Sequence, residues 1–262
     1  MTQELFNQSI ISIDDLSDDQ INQILTLANQ YKNKPPGKVL ADKIIATCFF
    51  EPSTRTRLSF EAAAIRLGAQ IIGFADASTS SAKKGESLHD AMKMMDSYAD
   101  AIVLRHPLEG SARMVSEEAA VPVINAGDGA NQHPTQALLD LFTIKECHPD
   151  KECLNIAFMG DLKNGRTVHS LAQACRLLNC RLYFVADNEL MIPSDVTDVL
   201  KRDAVRFSFH RNLAEVIERT DILYMTRLQK ERCDKVYKKT PYGIELNDLE
   251  NAKESLRILH PL

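Results

Sequence analysis

Apolar and polar positions follow a repeating order along the chain, in which a short apolar run precedes an amphipathic stretch. Residues 43–50 form an apolar run of strand length. Residues 53–67 have the spacing of a helix, and the apolar residues on one of its faces are Leu58, Ala62 and Ile65. Gly68 ends this helix and residues 69–74 return to a strand pattern, so this part of the chain predicts one βαβ unit.

The same alternation continues to the second half of the chain. It predicts strands at 101–104, 121–124, 154–159, 181–186, 207–210 and 221–225, and helices at 110–120, 135–146 and 167–178. A break at 147–150, where Pro149 ends a helix among charged residues, separates two halves. We therefore expect an α/β fold of two doubly wound parallel-sheet domains, residues 1–148 and 149–262. The active site is expected in the cleft between them, at the carboxyl ends of strands.

The composition limits the classes of function. Of the 262 residues, 44% are hydrophobic and 26% are charged, which is the balance of a folded globular chain. The formal net charge is -5, so no global positive field attracts nucleic acid, and we expect none as a partner. An anionic ligand would therefore be held by a few placed cations.

The 6 cysteines form no C-x-x-C pair and indicate reduced thiols, most of them in the core. We expect no metal site and no cofactor, because no pair of Cys or His has the spacing of a zinc ligand set. The first residues lack the pattern of a secretory signal, and no apolar run approaches the roughly 20 residues of a membrane helix. These features predict a cytoplasmic protein with no membrane contact.

The strand at 43–50 leads directly into a cluster of hydroxyl and guanidinium groups. Pro52 sets the turn, and the helix then begins with Ser53, Thr54, Arg55, Thr56 and Arg57. A helix N-terminus offers unpaired N–H groups and the positive end of the helix dipole, both of which favour a phosphate. Capping alone would use one hydroxyl. Capping therefore does not explain why three hydroxyls and two arginines occur together. We interpret the segment as a phosphate site.

Two further cations could reach the same anion. In the polar loop 78–87, Lys84 could close onto a bound phosphate, and a solvated lysine in a mobile loop is the alternative. Arg105 follows the strand at 101–104, where a ligand-facing cation is expected. A surface salt bridge is the alternative for Arg105.

A histidine and an amide stand together at the next predicted helix. His133 precedes Pro134 at the helix start, and Gln136 lies one turn further on the same face. A lone histidine is more often structural than catalytic. An imidazole donor beside an amide could, however, hold the oxygen and nitrogen of a small carbamoyl or amide group.

The second half has its own cations at strand ends. The loop 160–167 follows a strand and opens a helix, but it lacks the G-x-G-x-x-G spacing of a dinucleotide site. Arg166 at that helix start suits a carboxylate instead. Arg227 and Gln229 follow the strand at 221–225, and a solvated charged loop remains an equal alternative for them.

Taken together, these segments resemble the catalytic chain of the aspartate carbamoyltransferases. The resemblance runs from about Phe6 to the last residue, and its most specific segments are 50–61, 105–107, 125–142 and 225–232. The Ser-Thr-Arg-Thr-Arg motif is shared with ornithine carbamoyltransferases. Arg227-x-Gln229 and the terminal His-Pro-Leu resemble the aspartate branch, and the similarity is greatest to bacterial chains that pair with a regulatory chain.

The resemblance implies transfer of the carbamoyl group of carbamoyl phosphate to the amine of L-aspartate, in pyrimidine biosynthesis. The residues implied to bind carbamoyl phosphate are Ser53, Thr54, Arg55, Thr56, Ser80, Lys84, Arg105, His133, Gln136, Pro261 and Leu262. Those implied to bind aspartate are Lys84, Arg166, Arg227 and Gln229, and those implied to act in catalysis are Thr56, Lys84, Arg105 and His133. In the family, the residues matched by Ser80 and Lys84 enter from a neighbouring subunit, which implies a homotrimer with shared active sites and a possible regulatory chain as a further partner.

The chain stops at His260-Pro261-Leu262, where the family continues into a C-terminal helix. We therefore expect the usual tail to be missing, and the alternative function is an inactive carbamoyltransferase-like chain that binds anions and assembles. Ornithine is the alternative acceptor, although its side-chain amine calls for acidic or neutral groups where this chain has Arg227. A nicotinamide dehydrogenase is disfavoured because the glycine fingerprint is absent.

Overall fold

The computed structural model describes residues 5–229 and 242–261. The α-helices are α1 (Asp18–Asn33), α2 (Thr54–Arg66), α3 (Leu88–Tyr98), α4 (Ser111–Glu118), α5 (Pro134–Cys147), α6 (Arg166–Ala174) and α7 (Ser194–Arg202). The strands are β1 (Ile44–Phe49), β2 (Gln70–Phe74), β3 (Ala101–His106), β4 (Val123–Asp128), β5 (Leu154–Met159), β6 (Cys180–Val185), β7 (Arg206–His210), β8 (Ile222–Met225) and β9 (Arg257–Leu259). Contacts divide the chain into two compact units, Met1–Thr135 and Gln136–Leu262.

The first unit contains a four-stranded parallel sheet in the order β2-β1-β3-β4. The register pairs Cys48 with Phe74 on one side of β1 and Phe49 with Arg105 on the other. Helices cover a parallel sheet on its faces, so its strands are rich in buried apolar residues. The core residues include Ala46, Cys48, Ile102, Leu104 and Val123. The carboxyl ends of β1, β3 and β4 consequently lie side by side.

The second unit contains a five-stranded parallel sheet in the order β7-β6-β5-β8-β9. Its core is aromatic, and the side chains of Phe158, Phe184 and Tyr224 are fully buried. The register pairs Met159 with Met225, so β5 and β8 end together in the middle of the sheet. In an open parallel sheet, this is the edge at which ligands are bound.

The predicted fold class, two parallel-sheet α/β units, is confirmed. The strand predicted to end at residue 104 continues to His106, because pairing with Asp128 extends the ladder. The helix predicted over 167–178 is α-helical only to Ala174 and then tightens into a 3₁₀ turn. The sequence pattern did not predict α1, α7 or β9.

The two units meet within α5 along the sequence, since the contacts divide the chain between Thr135 and Gln136. Most of α5 therefore belongs to the second unit. The sequence pattern placed a boundary after residue 148, at the end of this helix. That boundary stays a prediction.

The apolar residues that predicted α2 face solvent. Leu58 is 50% exposed and Ile65 is 62% exposed, and Ala62 is exposed as well. The helix instead buries Ala64 and packs Phe60 against the core residues Phe49, Val103 and Ala126. The first unit thus carries an apolar helix face that no described residue buries.

The described cysteines, Cys48, Cys147, Cys153, Cys175 and Cys180, are free thiols. Three of them are buried, as expected for core residues, and Cys153 is exposed. Cys233 lies outside the described residues. Over residues 5–229 and 242–261, no helix has the length and apolarity to span a membrane.

Candidate active site

The first candidate group sits at the N-terminus of α2. Ser53 is extended, with φ -156°, and its side chain makes no capping hydrogen bond. No acidic residue occupies the first turn of the helix. Arg55 is exposed, whereas Arg57 lies 3.4 Å from Glu61 one turn further on. Helix capping therefore does not account for Ser53. Because the first turn holds no carboxylate, the N–H groups at this helix start are suited to binding an anion.

Arg105 lies on the neighbouring strand, beside the turn that leads into α2. Its Nη1 donates to the carbonyl of Ala126 at 3.3 Å, and its Nε lies 3.2 Å from Oε2 of Glu51. The Arg105 side chain is only 11% exposed. Its pair with Glu51 is therefore mostly buried, unlike the surface salt bridge that was the alternative to a ligand-binding role. These contacts hold the guanidinium at the carboxyl edge of the sheet, next to the α2 N-terminus.

The loop between β4 and α5 is held by one buried carboxylate. Asp128 accepts hydrogen bonds from Asn125 Nδ2 at 2.8 Å and from the backbone N–H of Gly110 at 2.9 Å. His133 ends this loop immediately before α5 and is 6% exposed. Its Nδ1 lies 3.5 Å from Thr135 Oγ1. The α2 N-terminus thus follows β1, Arg105 lies near the carboxyl end of β3, and His133 follows β4, and these three strands are adjacent.

Ser80 and Lys84 lie in the segment that follows β2, the edge strand that pairs with β1. Ser80 lies between the 3₁₀ turns Ala77–Thr79 and Ser81–Lys84, and Lys84 is the last residue of the second turn. Ser80 donates to the carbonyl of Ala77 at 2.8 Å, and Lys84 is exposed. Both line a cavity of about 490 Å³ whose lining includes none of Ser53–Thr56, Arg105 or His133. The structure therefore places Ser80 and Lys84 beside this cavity, in the segment that follows β2.

In the second unit, a glycine lets β5 and β8 end in close contact. Gly160 has φ +126°, and a Cβ built on it would stand 2.2 Å from the carbonyl oxygen of Thr226. The N–H of Thr226 donates to the carbonyl of Met159 at 3.0 Å. The two strand ends and the segments that follow them are thereby held together, with no room for a side chain at position 160.

The segments after β5 and β8 carry the predicted carboxylate ligands. Arg166 opens α6 and is 8% exposed, and Arg227 is exposed two residues after β8. The fully buried Asp161 accepts from the N–H groups of Gln229 and Asn164, each at 3.0 Å. This carboxylate ties the two segments together. Two guanidinium groups and an amide at one sheet edge are suited to a dicarboxylate.

The remaining predicted ligands lie at the end of the chain. Pro261 is described and comes two residues after β9, at the same carboxyl edge of the second sheet. Leu262 and residues 230–232 lie outside the described residues. Over the described part of the chain, no group of three or more His, Cys, Asp or Glu side chains could hold a metal ion.

Comparisons with known proteins identify the class of protein. The model of the aspartate/ornithine carbamoyltransferase carbamoyl-P binding domain matches residues 8–146, and that of the Asp/Orn binding domain matches residues 152–262. The chain belongs to the aspartate/ornithine carbamoyltransferase family.

Within the family, the chain is similar to proteins of the aspartate branch. It is 50% identical to the aspartate carbamoyltransferase catalytic subunit 2 of Shewanella halifaxensis, covering 100% of this chain and 86% of that protein. It is 49% identical to the catalytic subunit of Chromobacterium violaceum, covering 98% and 86%.

Solved structures agree in fold. Aspartate transcarbamoylase from Trypanosoma cruzi, crystallised with carbamoyl phosphate and aspartate, matches with a TM-score of 0.88 at 35% identity, covering 99% of this chain and 85% of that one. The catalytic subunit of M. jannaschii aspartate transcarbamoylase matches with a TM-score of 0.84 at 45% identity, covering 97% and 86%.

Proposed function

We propose that this chain transfers the carbamoyl group of carbamoyl phosphate to the amine of L-aspartate, giving N-carbamoyl-L-aspartate and phosphate in pyrimidine biosynthesis. The observation that carries the proposal is the division of charged groups between two sheet edges. In the first unit a helix N-terminus with hydroxyl and guanidinium groups suits a phosphate. In the second unit Arg166, Arg227 and Gln229 suit the two carboxylates of aspartate. The similarity to proteins named aspartate carbamoyltransferase catalytic subunits supports this choice.

The binding roles follow from this division. In the proposal, Ser53, Thr54, Arg55 and Thr56 bind the phosphate together with the N–H groups of α2 and with Arg105. His133 and Gln136 hold the carbamoyl oxygen and nitrogen, with the carbonyls of Pro261 and Leu262 near that nitrogen. Lys84 contacts both substrates.

The chemistry requires stabilisation of one developing charge. When the amine of aspartate attacks the carbamoyl carbon, a C–N bond forms and negative charge builds on the carbamoyl oxygen. Thr56, Arg105 and His133 would donate to that oxygen, and one such donor typically contributes about 3 kcal/mol to catalysis. The C–O bond to phosphate then breaks, and the departing phosphate accepts the proton of the amine. No nucleophile from the protein is needed.

The proposal includes a homotrimer whose sites are shared. Ser80 and Lys84 line a cavity whose lining includes neither Arg105 nor His133, and the family resemblance implies that a neighbouring chain supplies them to the site. The exposed Leu58 and Ile65 on α2 offer apolar surface for such an assembly. We further propose a cytoplasmic enzyme, for which a regulatory chain would be an additional partner. Sedimentation of the purified chain tests the assembly, and a monomer with full activity would contradict it.

The proposed reaction is tested by colorimetric detection of carbamoylated product, with carbamoyl phosphate and either L-aspartate or L-ornithine. We expect product with aspartate alone. His133→Ala should lower turnover far more than substrate affinity, whereas His89→Ala, at an exposed histidine paired with Glu118, should not. Product with ornithine alone would reject aspartate as acceptor. No product with either, but thermal stabilisation by phosphate, would leave the anion-binding, inactive alternative.

A further inference from the structure

The amide of Gln136 is the first member of a buried hydrogen-bond chain. Its Nε2 donates to Asp140 Oδ1 at 3.0 Å, one turn along α5. The other carboxylate oxygen, Oδ2, accepts from the hydroxyl of Tyr224 at 2.7 Å. Asp140 is 5% exposed and Tyr224 is fully buried. Both carboxylate oxygens of Asp140 are therefore used, one by the amide and one by the phenol.

The phenol that holds Asp140 is packed in the core of the second unit. Tyr224 lies on β8 in register with Phe158 of β5, and the two ring centroids are 5.5 Å apart. Core side chains are close-packed and occupy rotamer minima, so the surrounding residues restrict this ring. The carboxylate is thus fixed from the sheet side, and it fixes the amide in turn.

A carboxylate leaves the amide only one orientation. Burial raises the pKa of Asp140 to about 6, against the opposing effect of its hydrogen bonds with Tyr224 and Gln136, so the group is ionised at neutral pH. An ionised carboxylate can accept but not donate. Gln136 must therefore present Nε2 to Asp140, and its Oε1 is directed away from the carboxylate.

We infer that Asp140 and Tyr224 are positioning residues that orient Gln136 so that its Oε1 accepts a hydrogen bond from the carbamoyl nitrogen. The inference rests on the proposed function, in which Gln136 binds the carbamoyl group. Inorganic phosphate has no such nitrogen. The effect of Asp140 should consequently distinguish carbamoyl phosphate from phosphate, which a general loss of structure would not do.

Asp140→Asn tests the inference with an isosteric change. An Asn side chain can donate as well as accept, so the Gln136 amide can turn over. We expect the KM for carbamoyl phosphate to rise about tenfold, which is the scale of one lost hydrogen bond. The inhibition constant of phosphate and the KM for aspartate should stay within about twofold of wild type. Gln136→Ala should give the same pattern, and adding Asp140→Asn to it should cause no further loss.

Two further variants serve as a second test and as a control for this comparison. Tyr224→Phe leaves Asp140 in place and should raise the same KM by a smaller factor, which keeps the test available if Asp140→Asn does not fold. Thr143→Ala, on α5 with its hydroxyl bonded to Leu139, should leave both constants unchanged. Parallel losses for carbamoyl phosphate and phosphate, additive effects in the double variant, or an unchanged KM would overturn the inference.

Failure of the proposed function is recognised separately. If the wild-type chain forms no product with either acceptor, the proposed reaction is wrong. Calorimetric titration with carbamoyl phosphate and with phosphate then tests the positioning role alone. We expect wild type to prefer carbamoyl phosphate and Asp140→Asn to lose that preference; equal preference in both proteins would overturn the role.

Discussion

Substituting Gly160 by alanine should damage the aspartate site through the backbone. Gly160 has φ +126°, which L-residues rarely adopt, and the added Cβ would stand 2.2 Å from the carbonyl oxygen of Thr226. That carbonyl belongs to the residue immediately before Arg227. Because a backbone atom cannot move aside as a flexible side chain can, the segments after β5 and β8 must separate.

The magnitude has two parts. The unfavourable dihedral of an alanine costs about 1–2 kcal/mol, and overpacking against fixed atoms typically costs about 1–3 kcal/mol more. We therefore expect Gly160→Ala to lower the free energy of unfolding of the second unit by about 2–5 kcal/mol. Gly110→Ala is the matched control, since Gly110 has φ +77° with nothing within 4 Å of the added Cβ. Its free energy of unfolding should fall only by the cost of the unfavourable dihedral, because the added Cβ meets no neighbouring atom.

Urea unfolding and steady-state kinetics measure the two consequences. Gly160→Ala should have the larger fall in stability and a raised KM for aspartate, with the affinity for phosphate nearly unchanged. Gly110→Ala should leave the KM for aspartate unchanged. Equal stability losses in the two variants, or an unchanged KM for aspartate in Gly160→Ala, would refute the argument that the Gly160–Thr226 contact sets the position of Arg227.

Two carboxylates give further predictions. Asp221 is fully buried and accepts from Lys151 Nζ at 2.5 Å and Lys253 Nζ at 2.7 Å, so Asp221→Ala should cost about 3–5 kcal/mol. Asp198→Ala, at an exposed ion pair, should cost less than about 1 kcal/mol, and equal losses in urea unfolding would contradict the buried-pair account. For Asp140, the folded pKa of about 6 exceeds the ordinary 3.8, so its stabilising contribution is complete below 3.8 and is lost as pH rises through 6. Asp140→Asn should therefore gain about 2 kcal/mol relative to wild type between about pH 4 and pH 7, and a pH-independent difference would contradict this.

The positions of most strands could be predicted from the sequence better than the packing of individual helices. Apolar runs bounded by turn residues indicated the strands, because both faces of a parallel sheet are buried. The same pattern could not choose the buried face of α2. Leu58 and Ile65 lie on one side of the helix, and Phe60 and Ala64 lie on another. Only the position of the sheet decides that Ala64 is buried and Phe60 partly buried.

The candidate ligands could likewise be predicted, but not the groups that hold them. Serine, threonine and arginine at a helix start have a direct chemical meaning for phosphate. Asp128, Asp140 and Asp161 gave no comparable signal, although aspartate next to glycine after a strand hints at a side chain that bonds its own loop. The contact between Asp161 and the N–H of Gln229 joins positions far apart in sequence, and only the fold reveals it.

The most direct test of the account follows the new bond itself. Carbamoyl phosphate labelled with ¹³C and L-aspartate labelled with ¹⁵N are incubated with the purified chain and observed by NMR. The account predicts a carbamoyl ¹³C signal split by coupling to the aspartate ¹⁵N, with one phosphate released for each product formed. Phosphate release without that coupling, or coupling only when ornithine replaces aspartate, would contradict it.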